Sequence, residues 1–531
     1  MSTNSHISKH KRPRNTFWRT AKTFITGHTT RMVIAVILFG IALRAVEAVS
    51  GNYLFEFDQG RDYLLVQEIV ENGKLRLIGL ELGGGYAGIS GFFHGPGYLY
   101  LLAIPYVLFQ GDPYGGMVLM FLLGCVTLLM SYMAGVKIIG RSGALLFLIL
   151  VAISPPVIAQ SRFIWNTHPS SSLILLVLYF VYNIRKNPGR YLPLSLFTSA
   201  LIYHFQLGIS ISLILSICIY YVLVIRKISF KDVAVSAGAV VFAFLPFIVF
   251  EIRHGYGGLR SIISLLSDRN NGSTRMFELF MIRDHLQDYW FNFTKTFSFE
   301  VLGNSGYLHH LLVIVLLYGV FQFVRNSKKR DVTSFVYFLL ITVATTWILL
   351  YGLLKSRIWD HYILHLQFTY MMLFVIAAIG IGYRFHKEGK IMAAIISIIF
   401  VIMTASAGKR LYINWKYDYH DEGGIHKMNG IKQAVDEIYH DADGKPLTVE
   451  TYAEWGLTSA YDYAIPWYGK QRYGYAPSVE DTQLLYLFIR PDYAKPWAVN
   501  GWKETVVKRG EVAGEKELSS GFIVEKRTLN Q

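Results

Sequence analysis

Residues 51–97 read GNYLFEFDQGRDYLLVQEIVENGKLRLIGLELGGGYAGISGFFHGPG and lie between two long apolar runs. The stretch holds Asp58, Arg61, Asp62, Glu68, Glu81 and His94. So many ionisable groups are costly beside hydrocarbon, and such groups mark polar cavities or active sites. The rest of the chain reads as the wall around this loop.

That wall is apolar. Of 531 residues 53% are hydrophobic, and the mean hydropathy is +0.35. Repeated apolar runs of about 17–25 residues predict a polytopic helical membrane protein. The net charge is +15, from 51 Lys and Arg against 36 Asp and Glu. In a soluble protein that excess would suggest nucleic acid. Here the positive charge collects between apolar runs, as membrane topology requires, and no nucleic-acid partner is expected. Cys125 and Cys218 both fall inside apolar runs and are too few for a disulfide framework.

Residues 1–31 form a basic tail, cytoplasmic by the positive-inside rule, with no small-residue cleavage site after it. The first span, 32–50, then delivers the loop (51–113) to the outside. Residues 97–110 are apolar but only about 14 long, which fits an interfacial helix better than a span. Spans follow at 114–136, 142–160, 169–184, 192–205, 207–225 and 233–250. A second large outer segment, 251–306, has the mixed composition of amphipathic helices lying on the membrane. Four more spans are placed at 308–324, 332–354, 362–383 and 391–407. The expectation is a transmembrane domain over 32–408 with about eleven helices, in the plasma (inner) membrane. The N-terminus is inside and a soluble extracytoplasmic α/β domain, 409–531, is outside. Strand-like pieces at 447–451, 484–489 and 522–526 and a helix-like piece at 425–439 support that domain.

Asp58 and Asp62 share a face if their segment is helical, with Arg61 near both. A carboxylate in a partly dry pocket could serve as general base to a hydroxyl. The same spacing also fits an ordinary acidic helix N-terminus. His94, in Phe93-His94-Gly95-Pro96-Gly97, could donate to a phosphate or a sugar hydroxyl. Polar groups recur wherever spans emerge on the same side: Arg162, Asn166, His204, Arg253, His254, Arg357 and His361. Singly, such groups are interfacial anchors. Together, arginines among them suit bidentate contact with a lipid-linked phosphate. His309-His310 and Trp359-Asp360-His361 lack a specific metal spacing, and Gly83-Gly84-Gly85 lacks the Lys of a nucleotide loop. A divalent metal stays open as a cofactor, and no nucleotide is expected. The sequons at Asn271 and Asn292 fall in the second outer segment. Tyr461, Tyr463, Trp467, Tyr468, Tyr473 and Tyr475 could stack on sugar rings or simply form the core of the terminal domain.

The order of these pieces resembles the GT-C glycosyltransferases. The closer likeness is to the family 39 group, which includes protein O-mannosyltransferases, lipid A aminoarabinose transferases and Rgt-type lipopolysaccharide transferases. It is carried by Phe57-Asp58-Gln59-Gly60-Arg61-Asp62, then Phe93-His94-Gly95-Pro96, then a helix closing on Phe109-x-Gly111, then Ser161-Arg162-x-x-Trp165-Asn166. It covers about residues 30–370. The resemblance implies an inverting transfer from a polyprenyl-phosphate sugar at the outer membrane face, with Asp58 as base. Many relatives carry a second acid where Gln59 stands, so Asp62 or Glu81 would have to replace it. The expected partners are membrane lipid, a polyprenyl-phosphate sugar and a glycan, lipid or protein acceptor. The alternative is a flippase or transporter of lipid-linked sugars. That would need polar groups at mid-membrane, whereas these charges sit at span ends. An envelope assembly protein that binds through its terminal domain is a third reading, which leaves the charged first loop unexplained.

Overall fold

The computed structural model describes residues 28–81, 93–226, 229–260, 279–303, 306–353, 358–384 and 388–529. The first apolar run does not form one helix. His28–Ala42 stops, and a short helix, Val46–Ser50, follows. Arg44 sits in the break, fully buried, and donates to the carbonyls of Gly40 (2.8 Å), Val151 (2.9 Å) and Ala152 (3.0 Å). A buried guanidinium must place its hydrogens, and here it takes carbonyls from two segments.

The continuous helical stretch Tyr114–Ile153 is interrupted at Gly140, where φ is +81° and ψ is 174°. A Cβ on Gly135 would lie 2.9 Å from Cα of Ala144. Nine residues of unbroken helix would separate those positions by about 13 Å. The chain therefore reverses at Gly140, which only glycine tolerates at that φ. Helices 114–139 and 141–153 are antiparallel neighbours, where two spans were expected.

Six described helices are long and apolar enough to cross a membrane, or seven if the bent pair Phe230–Ala243 and Leu245–Arg253 is one span. The sequence led us to expect eleven. That count takes the hairpin 114–153 as one helix and leaves out the shorter apolar helices. Thr29–Ala42 and Ser170–Ile184 are apolar but short, and about 15 residues rise only about 22 Å against a hydrocarbon core of about 30 Å. The bend of 63° in the pair falls just before Pro246, whose missing N–H and ring interrupt the ladder. Gly306–Asn326, Arg330–Leu353, Leu364–Arg384 and Glu388–Lys416 complete the bundle. Leu364–Gly382 lies at its centre, with 89% of its most apolar window buried. The last helix continues to Lys416, well past the point where composition turns polar.

The terminal domain holds a four-stranded sheet of β1 (Leu447–Tyr452), β2 (Leu484–Ile489), β3 (Glu511–Glu517) and β4 (Ile523–Thr528), in the order β1-β2-β4-β3. β1 and β2 are parallel, and the other pairs are antiparallel. Helices Met428–Ala442 and Ser459–Tyr473 pack with it. This domain does not hang free. Phe55 N–H donates to the His426 carbonyl (3.1 Å), Met428 N–H donates to the Tyr53 carbonyl (3.0 Å), and the Asn52 amide donates to the Asp421 carbonyl (2.8 Å). The Tyr463 hydroxyl donates to the Gly111 carbonyl at 2.5 Å, and its ring lies 5.1 Å from that of Tyr63. One apolar core includes Tyr53, Phe55 and Tyr63 of the loop together with Ile431, Tyr461 and Phe488 of the domain. The loop and the domain thus share one end of the bundle. Of the aromatics weighed for sugar stacking, Tyr461 and Tyr463 are buried in this core and Trp467, Tyr468, Tyr473 and Tyr475 pack against it.

Candidate active site

The loop helix Phe57–Val70 starts with a capping box: Glu56 accepts from the third helical N–H, and Glu56 N–H donates to Gln59 Oε1 at 3.0 Å. Gln59 Nε2 donates to the Ile164 carbonyl at 2.8 Å. That second bond needs an amide, because a carboxylate has no hydrogen to give. It accounts for a glutamine where many relatives carry an acid.

Asp58, Arg61 and Asp62 lie on one face of the helix. Arg61 Nη1 is 2.9 Å from Asp58 Oδ1, and Nη2 and Nε reach Asp62 Oδ1 at 2.8 and 3.1 Å. The two acids differ in setting. The Asp58 side chain is 44% exposed, and the Asp62 side chain is 1% exposed. Burial pushes the Asp62 carboxyl up to about 6, with Arg61 pulling the other way. Asp62 Oδ2 and the Tyr98 hydroxyl are both buried and interact with each other.

His94 is buried against this face. Its Nδ1 accepts the Leu207 N–H at 3.2 Å, which puts its own hydrogen on Nε2. Burial first, and the Arg61 charge second, lower it to about 4, so the ring is neutral at pH 7. Gly95 N–H donates to the Tyr203 carbonyl (3.2 Å), and Gly97 N–H donates to His204 Nδ1 (3.2 Å). His204 therefore holds the turn. His361 stacks 4.6 Å from Trp165 and 4.4 Å from Tyr362. Burial, with His94 and His168 as lesser causes, lowers it to about 3. His168 also falls to about 3 on burial and shares a hydrogen bond with the Phe163 carbonyl (2.9 Å). His361 thus lies within electrostatic reach of both His94 and His168, and His94 is within reach of Arg61.

The other sequence candidates are placed as follows. Asn166 donates to the Phe205 carbonyl at 2.7 Å and serves the loop geometry. Arg162 Nε lies 2.8 and 2.7 Å from the Glu47 oxygens, and Nη2 pairs with Glu47 and, at 2.8 Å, with Asp418. Its guanidinium is committed to two carboxylates and ties the first span to the end of the last. Arg253 and His254 are exposed at the end of Leu245–Arg253, where the His254 ring stacks 4.1 Å from Phe250. Phe250 in turn meets Phe93 at 6.0 Å, at the rim of the turn. Arg357, Asn271 and Gly83-Gly84-Gly85 lie outside the described residues. Asn292 is buried in Leu279–Thr296 with its amide 3.3 Å from Asp360 Oδ1, so its sequon is closed to a sugar. Among the described residues no three His, Cys, Asp or Glu side chains gather in a group fit for a metal.

Sequence reasoning missed Arg44, Glu47 and Lys295. Lys295 pairs with Asp360 at 2.7 Å, next to His361. It also lines a cavity of about 620 Å³ with Trp290, Phe291, His309 and Arg410. No residue of the loop helix lines that cavity. Lys295 lies over the Phe291 ring, and Arg410 pairs with Glu300 at 2.6 Å, so both charges are already answered by acids. The signal available beforehand was weak, since a lysine in an amphipathic outer helix is ordinary.

No family model matches the sequence, and no curated protein matches it. Solved structures do. ArnT from Cupriavidus metallidurans aligns in its apo state at TM-score 0.56, with 11% identity, over 96% of this chain and 98% of that one. The same protein bound to undecaprenyl phosphate aligns at 0.54, with equal identity and coverage. The chain thus shares the fold of these ArnT structures. At this identity the likeness speaks for architecture, including the terminal sheet domain, which near-full coverage takes in. An oligosaccharyltransferase from Archaeoglobus fulgidus aligns at 0.44, with 14% identity, over 83% of this chain and 64% of that one, too distant a match to argue from.

Proposed function

We propose that this GT-C protein is a membrane glycosyltransferase, moving a sugar from a polyprenyl-phosphate donor to an acceptor hydroxyl at the outer face of the plasma membrane. The observation that carries the reading is the Asp58 carboxylate. It is exposed on the first turn of the loop helix and oriented by Arg61, at the end of the bundle that the terminal domain covers.

The acceptor oxygen attacks the anomeric carbon from the face opposite the phosphate. The C–O bond to phosphate breaks, polyprenyl phosphate leaves with the electron pair, and the acceptor proton passes to Asp58. Attack from that side inverts the anomeric centre. Asp62, held by Arg61 on the other side, keeps the guanidinium in place between the two carboxylates. The leaving phosphate needs fixed cationic donors. Arg61 is the cation beside the base, whereas Lys295 pairs with Asp360 and Arg410 with Glu300 around a cavity that the loop helix does not line. His94 offers a neutral Nε2–H, and Arg253 and His254 stand at the rim. Arg162 is left out because its partners, Glu47 and Asp418, lie off the loop helix and make it a tie between the first span and the end of the last.

The test is release of polyprenyl phosphate from polyprenyl-phosphate monosaccharides by the purified protein in lipid nanodiscs, wild type beside Asp58→Asn. Asparagine keeps the size and accepts no proton, so a loss of about 10²–10⁴-fold is expected. Full activity in a normally inserted Asp58→Asn protein would remove Asp58 from the role of base.

A further inference from the structure

The terminal domain carries a second set of aromatics, and these are not core. Trp455 is 79% exposed, Trp497 72% and Tyr493 71%. They lie on two loops that leave the same edge of the sheet. β1 and β2 are parallel and end in register at Tyr452 and Ile489, so the segments after them, 453–458 and 490–497, emerge side by side. The carboxyl edge of parallel strands is where open α/β sheets gather ligands. The two loops touch: Lys495 Nζ sits 4.5 Å from the Trp455 ring centre. Asp492 shapes the second loop by accepting the N–H groups of Ala494 (3.0 Å) and Lys495 (2.8 Å).

Trp455 is also strained, with φ +59° and ψ 15°. A bulky aromatic side chain is rarely held in the left-handed region, and such residues collect at ligand sites. A large side chain that is both exposed and strained gains nothing for the isolated fold. The platform borders the start of the loop helix. Arg490, which follows β2, lies 3.3 Å from Glu56, the cap of that helix, and 3.1 Å from His426. Ser459, shortly after Trp455, backs directly onto Gly60, on the side of the helix away from Asp58.

We propose that Trp455, Tyr493 and Trp497 form a sugar-stacking platform that presents a glycan acceptor to Asp58, so that the acceptor is an oligosaccharide. Flat aromatic faces stack on the C–H faces of sugar rings, while Lys495 and Glu454 supply hydrogen bonds to hydroxyls. Insertion into the bilayer would also use exposed Trp and Tyr. The acidic Glu454 and Asp492 among them, and the link through Arg490 to the loop helix, favour the sugar. As a statement about the acceptor, the proposal rests on the transferase reading.

The test uses the full chain in nanodiscs and isothermal titration calorimetry with three hexasaccharides as probes: neutral, N-acetylated and uronic. Binding of one class is expected, weakened about tenfold by Trp455→Asn and by Tyr493→Ala/Trp497→Ala. Asparagine tolerates the left-handed region, so Trp455→Asn should raise the melting temperature while it weakens binding. A merely structural tryptophan would do the reverse. No binding by any class, or unchanged binding in both variants, overturns the proposal. So does quenching of Trp455 emission by brominated phospholipid, read as the difference from Trp455→Asn, because that places the platform in the bilayer. The parent reading fails separately. Hexasaccharide binding without polyprenyl-phosphate release by the wild type would leave the platform and sink the transferase, and release without binding would do the opposite.

Discussion

Gly60→Ala tests whether the terminal domain positions the reacting helix. A Cβ at Gly60 falls onto the backbone of Ser459 and Ala460, far inside van der Waals contact. Backbone cannot rotate away as a side chain can, so the two elements must part by about 1 Å. Overpacking of this kind costs about 1–3 kcal/mol. Alanine in a helix interior returns about 1 kcal/mol of propensity, which leaves a net loss of about 0–2 kcal/mol. Stability therefore changes little. Activity should change more, because a misplacement of about 1 Å at a reacting group costs about 10²-fold, and from Gly60, Arg61 is one residue away and Asp58 two. Polyprenyl-phosphate release should fall about 10²-fold in a protein whose melting temperature drops by only a few degrees. Gly60→Ala with wild-type turnover would refute the bracing argument, whatever its stability.

Three further outcomes follow from contacts already described. Arg162→Gln strands the buried Glu47 and should cost about 3–5 kcal/mol, measured by thermal unfolding, while Glu47→Gln/Arg162→Gln should recover part of it. Gln59→Glu cannot donate to the Ile164 carbonyl and sets a second charge beside Asp58. It should cost about 1–3 kcal/mol and lower turnover, and a gain in turnover would contradict the structural role of the amide. The pH arm concerns His168, whose folded value of about 3 lies below the ordinary value of about 6.5. The folded state refuses a proton that the unfolded chain takes, so stability is full above about pH 6.5 and falls as the pH drops towards 3. At pH 5 the His168 share of the deficit is about 2 kcal/mol, and His168→Asn should remove that share from unfolding curves measured from pH 7.5 to 5, leaving those of His94 and His361.

The membrane class and the loop's importance were legible because hydrophobic length and misplaced charge are strong signals. The clustering of Asp58, Arg61 and Asp62 followed from helical spacing alone. The fate of Arg162 did not. Its partners, Glu47 and Asp418, lie 115 and 256 residues away, and no local pattern reports so distant a pairing. β3 was missed because EVAGEKE is exposed along its whole length and has no apolar alternation to find. Helix Ser459–Tyr473 was missed because its aromatics and Pro466 blur helical periodicity. An apolar run reports burial as readily as crossing: Ser170–Ile184, expected as a span, is short and mostly buried in the bundle.

The shared core of loop and terminal domain has a consequence for how the protein is made. Glu56 and its partner His426 are 370 residues apart in sequence. At a synthesis rate of about 5–20 residues per second, the loop waits roughly 20–70 s for the surface that completes it. During that interval its apolar side lacks its cover, so the nascent loop is a natural client for chaperones. A chain that stops short of the terminal domain would carry every candidate catalytic residue and still be unable to hold them. Assembly of the site thus doubles as a checkpoint on complete translation.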